Sequence, residues 1–124
     1  MTILGIANDE TASACLVQDG KLVAAASEER FTRVKMDNSW PENSINYCLD
    51  FGNTTLDEVD YIAYGWSAGF NAEKHLLEYF DRIVYEAKNN PEGLNIFRER
   101  IEVEIERDRK KRDEFWAFID KHDF

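Results

Sequence analysis

The sequence contains few residues that break, cross-link or rigidify a chain. Among 124 residues there are two prolines, six glycines and two cysteines. So few breakers exclude a long Pro/Gly-rich linker and make one domain the simplest organisation. Cys15 and Cys48 form no C-x-x-C pair, so the sequence has no zinc motif. We expect two buried free thiols rather than a disulfide, which agrees with a reducing, cytoplasmic setting.

Long apolar runs and a basic surplus are also missing. No stretch approaches the roughly 20 apolar residues of a membrane span, and the apolar start over residues 1–7 is too short for a signal peptide. The 25 acidic residues outnumber the 15 Lys and Arg residues, giving a net charge of −10. This balance argues against nucleic acid or an anionic membrane as a partner, because binding phosphate needs a basic surface. A few local cations could still form an anion pocket.

Several catalytic and cofactor motifs are absent. The phosphate-binding patterns GxGxxG and GxxxxGK do not occur, and no Ser-His-Asp or Cys-His arrangement can be argued. The two histidines, His75 and His122, lack a metal-like partner at i+4 and are expected at the surface. No metal ligand is therefore predicted in this chain.

The first half of the sequence predicts a small sheet with one helix. Apolar runs over residues 2–7, 13–18 and 21–27 predict three strands, and the Asp19-Gly20 pair between the last two is a two-residue hairpin signal. We expect an antiparallel meander over residues 2–26. A helix opened by Pro41 and closed by Gly52 follows, and residues 61–66 predict a strand in the same sheet, with the parallel pairing that a strand–helix–strand unit prefers.

The second half has the period of helices. Leu76 to Ala87 follow a 3.6-residue repeat, and a further helix is predicted from about Leu94. Every residue from 106 to 114 is charged, with five positive and four negative side chains, which indicates a solvated helix rather than a binding patch. The order βββαβ followed by two or three helices predicts an α/β fold, the start of a ribonuclease-H-like (actin-like ATPase) half. We expect one partial domain over residues 1–124, with a sheet portion (1–69) and a helical portion (70–124).

The later helices carry apolar stripes that predict an interface, either with a second copy or with the rest of a parent protein. The alternative is that these helices fold back on the second face of the sheet. The residues concerned are Phe97, Ile101 and Ile105 in one stripe and Phe115, Trp116, Phe118 and Ile119 in another.

Two polar segments are candidate ligand-binding or catalytic sites. A turn after the first strand collects small polar and acidic residues, namely Asn8, Asp9, Glu10, Thr11 and Ser13. It could cradle phosphate or hold a metal ion, or it could be a surface turn capped by its own side chains. The stretch "SEERFTRVK" after the third strand could bind phosphate or carboxylate through Arg30, Arg33 and Lys35, or be an exposed strand end with weak ion pairs.

These residues resemble a known family. The stretch "ASACLVQDGKLVAAASEERFTRVKMDNSWPENSINYCL" is similar to the start of the O-carbamoyltransferases of antibiotic and nodulation-factor biosynthesis, whose pattern is close to "HDASACLV-DG-IVAAAEEERFTR-KHD". The resemblance covers about residues 3–65. It implies a Kae1-like domain that transfers a carbamoyl group to a hydroxyl of a small-molecule acceptor. A YrdC-like domain elsewhere in the parent protein would first make carbamoyladenylate from carbamoyl phosphate and ATP, and a divalent metal is implied for the full-length family.

The resemblance also assigns roles by position. The family's His falls on Glu10, which becomes the candidate catalytic residue because a carboxylate can still accept a proton. The nucleotide or carbamoyl ligand would be bound by Asp9, Thr11, Ser13, Glu28, Glu29, Arg30, Arg33 and Lys35. The second family His falls on Met36, which cannot accept a proton.

The function predicted from this resemblance is an N-terminal segment of a carbamoyltransferase that is inactive as the isolated chain. The alternative is a non-catalytic interaction module that keeps the actin-like fold, and the substitutions at Glu10 and Met36 favour it. A kinase-like member of the same superfamily would explain the first hairpin but not "EERFTR". The expected partners are the remainder of the parent protein, a small-molecule acceptor and a possible second copy.

Overall fold

The computed structural model describes residues 1–65, 72–86 and 91–122. Its elements are β1 (Thr2–Asn8), β2 (Ala12–Gln18), β3 (Lys21–Ser27), α1 (Glu29–Thr32), α2 (Glu42–Phe51), a 3-10 turn (Leu56–Glu58), β4 (Tyr61–Tyr64), α3 (Ala72–Glu86) and α4 (Pro91–Lys121). This confirms the predicted α/β fold with a βββαβ start followed by helices.

The described residues form two compact units. The sheet unit comprises residues 1–65 and 118–122, and the helical unit comprises residues 72–86 and 91–117. The predicted boundary between residues 69 and 70 lies outside the described residues, as does Ala87 at the end of the predicted first long helix.

The sheet has the predicted meander and one parallel strand. Its strand order is β3-β2-β1-β4, with antiparallel β3–β2 and β2–β1 pairs and a parallel β1–β4 pair. Asp19 and Gly20 join β2 to β3 with φ angles of 50° and 77°. Positive φ at both central residues is the signature of a type I′ turn, whose twist matches that of the strands it joins.

One face of the sheet forms the main core. Leu4 and Leu16 are fully buried there, and the apolar side of α2 packs against them through Ile45, Cys48 and Leu49. The three helix positions follow the i, i+3, i+4 spacing, so a single helical face supplies them. The remaining buried members of this core are Ile6, Ala14, Ala24 and Val59.

Gly52 ends α2 for a reason that the sequence does not reveal. Its φ is −79°, an angle open to any residue, and Asn53 takes the left-handed conformation instead, with φ at 49°. A Cβ atom at Gly52 would run into the side chain of Leu16. The predicted position of the helix end is therefore correct, but glycine is needed for space.

The other face of the sheet is lined by small residues. Ala25, Cys15, Gly5 and Ala63 lie side by side on β3, β2, β1 and β4. A Cβ atom at Gly5 would lie 2.6 Å from the Cys15 sulfur, so this row is as tightly spaced as its side chains permit. Ala25 and Ala63 are exposed, whereas Gly5 and Cys15 are half-buried.

In the helical unit, α3 and α4 meet through aromatic rings. The rings of Phe80 and Phe97 stack at a centroid distance of 5.9 Å, and Arg98 lies over the Phe80 ring. Such ring pairs contribute about 0.5–1.5 kcal/mol beyond the area they bury.

The charged run from 106 to 114 lies within the continuous helix α4. The prediction that this run is solvated is wrong for two of its residues. Asp108 and Lys111 are 2% and 4% exposed. A buried carboxylate needs a compensating partner, and Arg112 lies 3.9 Å from Asp108. The rest of the run follows the prediction better, since Glu106, Arg109, Lys110 and Asp113 are exposed.

The apolar stripes of α4 are largely covered. Ile101, Ile105 and Phe115 are buried, whereas Trp116 is 47% exposed. Phe118, within the sheet unit, contacts the ring of Trp40 at a centroid distance of 5.2 Å. Self-association through these stripes stays a prediction.

Candidate functional site

The two polar segments singled out in the sequence meet at one end of the sheet. β2 begins there at Ala12, which is fully buried. The Ala12 amide donates a hydrogen bond to the carbonyl of Asp37 at 2.7 Å, and its carbonyl accepts one from the Glu28 amide at 2.9 Å. Both backbone groups of one residue thus tie the start of β2 to the segment from Glu28 to Asp37.

Glu28 is the most deeply placed charge of this segment, with 1% exposure. Its Oε1 accepts hydrogen bonds from the Asn43 amide and side chain, and its Oε2 accepts them from the Ser44 amide and hydroxyl. Burial acts to raise the pKa of this carboxyl, but the hydrogen bonds from Ser44 and Asn43 outweigh it and hold the pKa below its ordinary value.

The other acids of the segment bind its backbone. Glu29 accepts a hydrogen bond from the Met36 amide at 3.0 Å. Asp37 accepts one from the Thr32 hydroxyl at 2.6 Å and one from the Ser39 amide at 2.9 Å. Those two donors, Thr32 first, hold the pKa of Asp37 below its ordinary value.

The backbone between these acids makes sharp left-handed turns. Arg33 ends α1 with φ at 63°, and Met36 follows with φ at 54°. Left-handed backbone costs a non-glycine residue roughly 1–2 kcal/mol. His, Asn and Asp adopt it more readily than Met does, and the resemblance places a His at position 36.

The cations of the same segment point to solvent. Arg30, Arg33 and Lys35 are all exposed. None of the three forms an ion pair or a side-chain hydrogen bond within the described ranges. The acids are therefore bound to backbone and hydroxyl groups, and the cations are left available. This arrangement is not the set of weak ion pairs that the sequence left as an alternative.

An open concavity of about 870 Å³ lies over the small-residue face. Its floor includes Gly5, Cys15 and Ala63, and two predicted site residues, Ser13 and Arg30, line it together. Phe31, Tyr47 and Tyr64 add aromatic side chains to its lining. A hydroxyl and a guanidinium beside an apolar floor can bind a ligand that has both an anionic and an apolar part.

The turn between β1 and β2 lies outside this lining. Glu10 and Thr11 are exposed there, Asp9 is half-buried, and Asn8 is 1% exposed. The structure thus brings the turn to the same end of the sheet as the cations but does not bring Glu10, Thr11 or Asp9 into the concavity. Glu28, Glu29, Arg33 and Lys35 are likewise not among its lining residues.

Comparison with known proteins decides the family. The model of the family described as "Carbamoyltransferase N-terminus" matches residues 2–115. The chain belongs to this family. The resemblance predicted from "EERFTR" and its flanking residues is confirmed, and the family match extends well beyond the stretch on which it was based.

Curated relatives match the first half of the chain. An uncharacterised protein of Synechocystis is 54% identical over 63 residues, which is 50% of this chain and 10% of the relative. Nodulation protein NolNO of Sinorhizobium fredii is 46% identical over 52 residues, or 42% of this chain and 8% of that protein. An uncharacterised 19.2 kDa protein of Rhizobium etli is 44% identical over 52 residues, which is 30% of its length. The chain spans a third or less of the length of these relatives.

The sequence does not predict the role of two residues of this carbamoyltransferase N-terminal segment. Asn43 and Ser44 hold the Glu28 carboxylate, although they lie 15 and 16 residues further along the chain. The only available signal was the polar pair itself, placed in the first turn of a helix opened by Pro41. First-turn amides need acceptors, but nothing in the spacing identifies Glu28 as the acceptor.

The described part of this family member does not fit a metal ion. No three His, Cys, Asp or Glu side chains converge in residues 1–65, 72–86 and 91–122 in a way that could hold one. Within the same ranges no helix combines the length and the apolar character needed to cross a membrane.

Cys15 and Cys48 are free thiols, and burial raises the pKa of Cys48 to about 11.

Proposed function

We propose that the chain is the part of a carbamoyltransferase that receives the anionic carbamoyl donor, in a reaction that passes a carbamoyl group through carbamoyladenylate to a hydroxyl of a small-molecule acceptor. One observation carries this proposal: Arg30, Arg33 and Lys35 are exposed and have no anionic partner in the described residues. The acids of the same motif are already bound to the backbone.

The chemistry of the cations suits such a donor. Carbamoyladenylate is an anion through its phosphate, and the planar guanidinium of arginine donates paired hydrogen bonds to phosphate oxygens. Arg30 lines the concavity together with Ser13 and aromatic side chains, so the concavity also suits an uncharged or aromatic part of the ligand. The family to which the chain belongs supports the carbamoyl group as the group transferred.

Glu10 is the proposed proton acceptor. It is exposed in the turn after β1, at the position where the resemblance has a His. A general base must lie within hydrogen-bond reach of the hydroxyl that it deprotonates. A molecule that receives the carbamoyl group can reach an exposed carboxylate at the end of the sheet from solution. Met36 supplies no proton-transfer group in place of the second family His.

The isolated chain is proposed to transfer no carbamoyl group. The resemblance implies that carbamoyladenylate is made by a YrdC-like domain, and this chain spans a tenth of the Synechocystis relative that it matches. ATP and a divalent metal would belong to the complete protein.

The experiment is a titration of the ¹⁵N-labelled chain with AMP, the stable adenosine and phosphate part of carbamoyladenylate, followed by NMR. We expect saturable shifts of the Arg30 and Arg33 resonances, and we expect Arg30→Gln to weaken binding about tenfold, which corresponds to about 1.4 kcal/mol. Arg100→Gln is the matched control, because it removes the same charge from an exposed position on α4. Equal weakening by both variants, or no saturable binding to the unmodified chain, would contradict the proposal.

The second candidate function is a non-catalytic interaction module. Met36 favours it, since an apolar side chain that is 56% exposed stands where the resemblance has a proton-transfer residue. Absence of binding in the titration would support this candidate over the first.

A further inference from the structure

The bonding of Glu28 sets it apart from the rest of its motif. Four hydrogen bonds reach its carboxylate, at 3.2 and 2.6 Å from Asn43 and at 2.9 and 2.7 Å from Ser44. An ionised carboxylate offers about four lone-pair sites. With all of them occupied and the residue 1% exposed, the Glu28 carboxylate has no acceptor capacity left for a ligand.

These bonds cap a helix from a distant part of the chain. The first amides of α2 have no partner within the helix, and the local residue before it, Pro41, provides no side-chain cap. Glu28 satisfies the amides of Asn43 and Ser44 instead. Its negative charge also lies at the positive end of the helix dipole, which is favourable.

The backbone of Glu28 connects the same point to the cations. Its amide donates to Ala12, and its carbonyl accepts hydrogen bonds from the amides of Phe31 and Thr32 at 2.9 and 3.1 Å. These bonds build α1, which has four residues. A helix this short is not stable without tertiary contacts, so the position of Arg30 and Arg33 depends on where Glu28 is held.

We infer that Glu28 is a positioning residue: by capping α2 through Asn43 and Ser44, it holds α1 and the turn after it so that Arg30, Arg33 and Lys35 are pre-arranged for an anion. This inference rests on the proposed function for the identity of the anion. It reassigns Glu28 from the ligand-binding residues that the sequence indicated to their support. Pre-arranged cations lose less conformational freedom on binding and therefore bind more tightly.

The test uses the full chain and a paired exchange. Glu28→Gln replaces one acceptor oxygen by an NH₂ group, which cannot accept the hydrogen bonds that Asn43 or Ser44 donates at that position. Adding Asn43→Asp gives that NH₂ group an acceptor and restores the original net charge at the same contact. We expect Glu28→Gln to weaken AMP binding at least tenfold and the double variant to recover part of that loss, since the backbone amide of residue 43 still lacks its acceptor. A Glu28 that contacted the ligand would not be rescued in this way.

A second readout needs no ligand. The ¹⁵N heteronuclear NOE of the amides from Arg30 to Met36 reports their order on the picosecond-to-nanosecond timescale. We expect these values to fall in Glu28→Gln and to recover in the double variant. If the unmodified chain binds no AMP, the proposed function fails, and the amide values still decide whether Glu28 positions the segment.

Two outcomes would overturn the inference. The first is a folded Glu28→Gln variant whose segment from Arg30 to Met36 is as ordered as before. The second is a folded double variant in which neither order nor affinity recovers. Ser44→Ala removes the shorter of the two Ser44 bonds and gives an intermediate case if Glu28→Gln does not fold, with smaller losses of order and affinity expected.

Discussion

The two faces of the sheet are made by alternate residues of the same strands, yet they differ in side-chain size and burial. Leu4 and Leu16 point to the face that α2 covers and are fully buried. Gly5 and Cys15, one residue away in each case, lie on the face that lines the concavity. Side chains of a strand alternate between faces, so one stretch of sequence can build a core and a recess together.

Side-chain size and side-chain polarity vary independently between the two faces. Neither face carries a charge within the strands' central rows. The covered face gains stability from large side chains that interlock with α2, at about 25 cal/mol per Å² of apolar area buried. The other face is apolar too, but its small side chains leave room above it. What distinguishes core from recess here is the volume of the residues.

The largest expected effect comes from breaking the covered face. Leu16→Ala should lower the free energy of unfolding by about 2–5 kcal/mol, because it removes buried methyl groups and leaves a cavity beneath α2. Chemical denaturation of the full chain measures this change. Val17→Ala is the control on the opposite face, where the side chain is half-buried. Equal losses in the two variants would show that the faces do not differ as described.

A smaller effect is expected from crowding the other face. Gly5→Ala should cost about 1–3 kcal/mol, because the new methyl group would overlap the Cys15 sulfur. The double variant Gly5→Ala with Cys15→Ala should recover stability by removing that sulfur. Ala63→Ser, at an exposed position in the same row, should change stability by no more than about 0.5 kcal/mol. Failure of the double variant to recover would mean that the glycine is required for another reason.

Lowering the pH should reduce the stability of the folded chain on the covered side of the sheet. This is the smallest of the three expected effects. The Glu28 carboxyl, which caps the covering helix, has a folded-state pKa below its ordinary value of 4.5. Its contribution is therefore complete above about pH 4.5 and is lost as the pH falls through the lower folded value. The effect is modest because burial of the charge cancels much of what the hydrogen bonds contribute.

Thermal unfolding between pH 7 and pH 3 measures this loss. Asp37, Glu58 and Asp19 also have depressed pKa values and contribute to the same acid dependence. The share of Glu28 is the difference between the unmodified chain and Glu28→Gln. If the two chains lose stability in parallel, Glu28 does not contribute.

Local patterns in the sequence determined the order and type of the elements. The Asp19-Gly20 pair specified a tight turn because both residues tolerate positive φ. The i, i+3, i+4 spacing of Ile45, Cys48 and Leu49 specified the buried side of α2. The "EERFTR" motif specified the family. All of these signals lie within a few residues of one another, where chain geometry links position to structure.

The partners of the polar groups depend on how distant segments fold together. Nothing in the spacing joins Glu28 to Asn43 and Ser44, or Ala12 to Asp37, because the folding of separate segments against the same end of the sheet creates those contacts. The same limit applies to Gly52, where the side chain of Leu16 leaves no room for a Cβ atom. It also applies to Asp108, which is buried although the residues next to it in the sequence are charged. Hydrogen bonds and excluded volume act between atoms that are close in space. A sequence period of 2 or 3.6 residues carries no information about contacts between residues that are far apart in the chain.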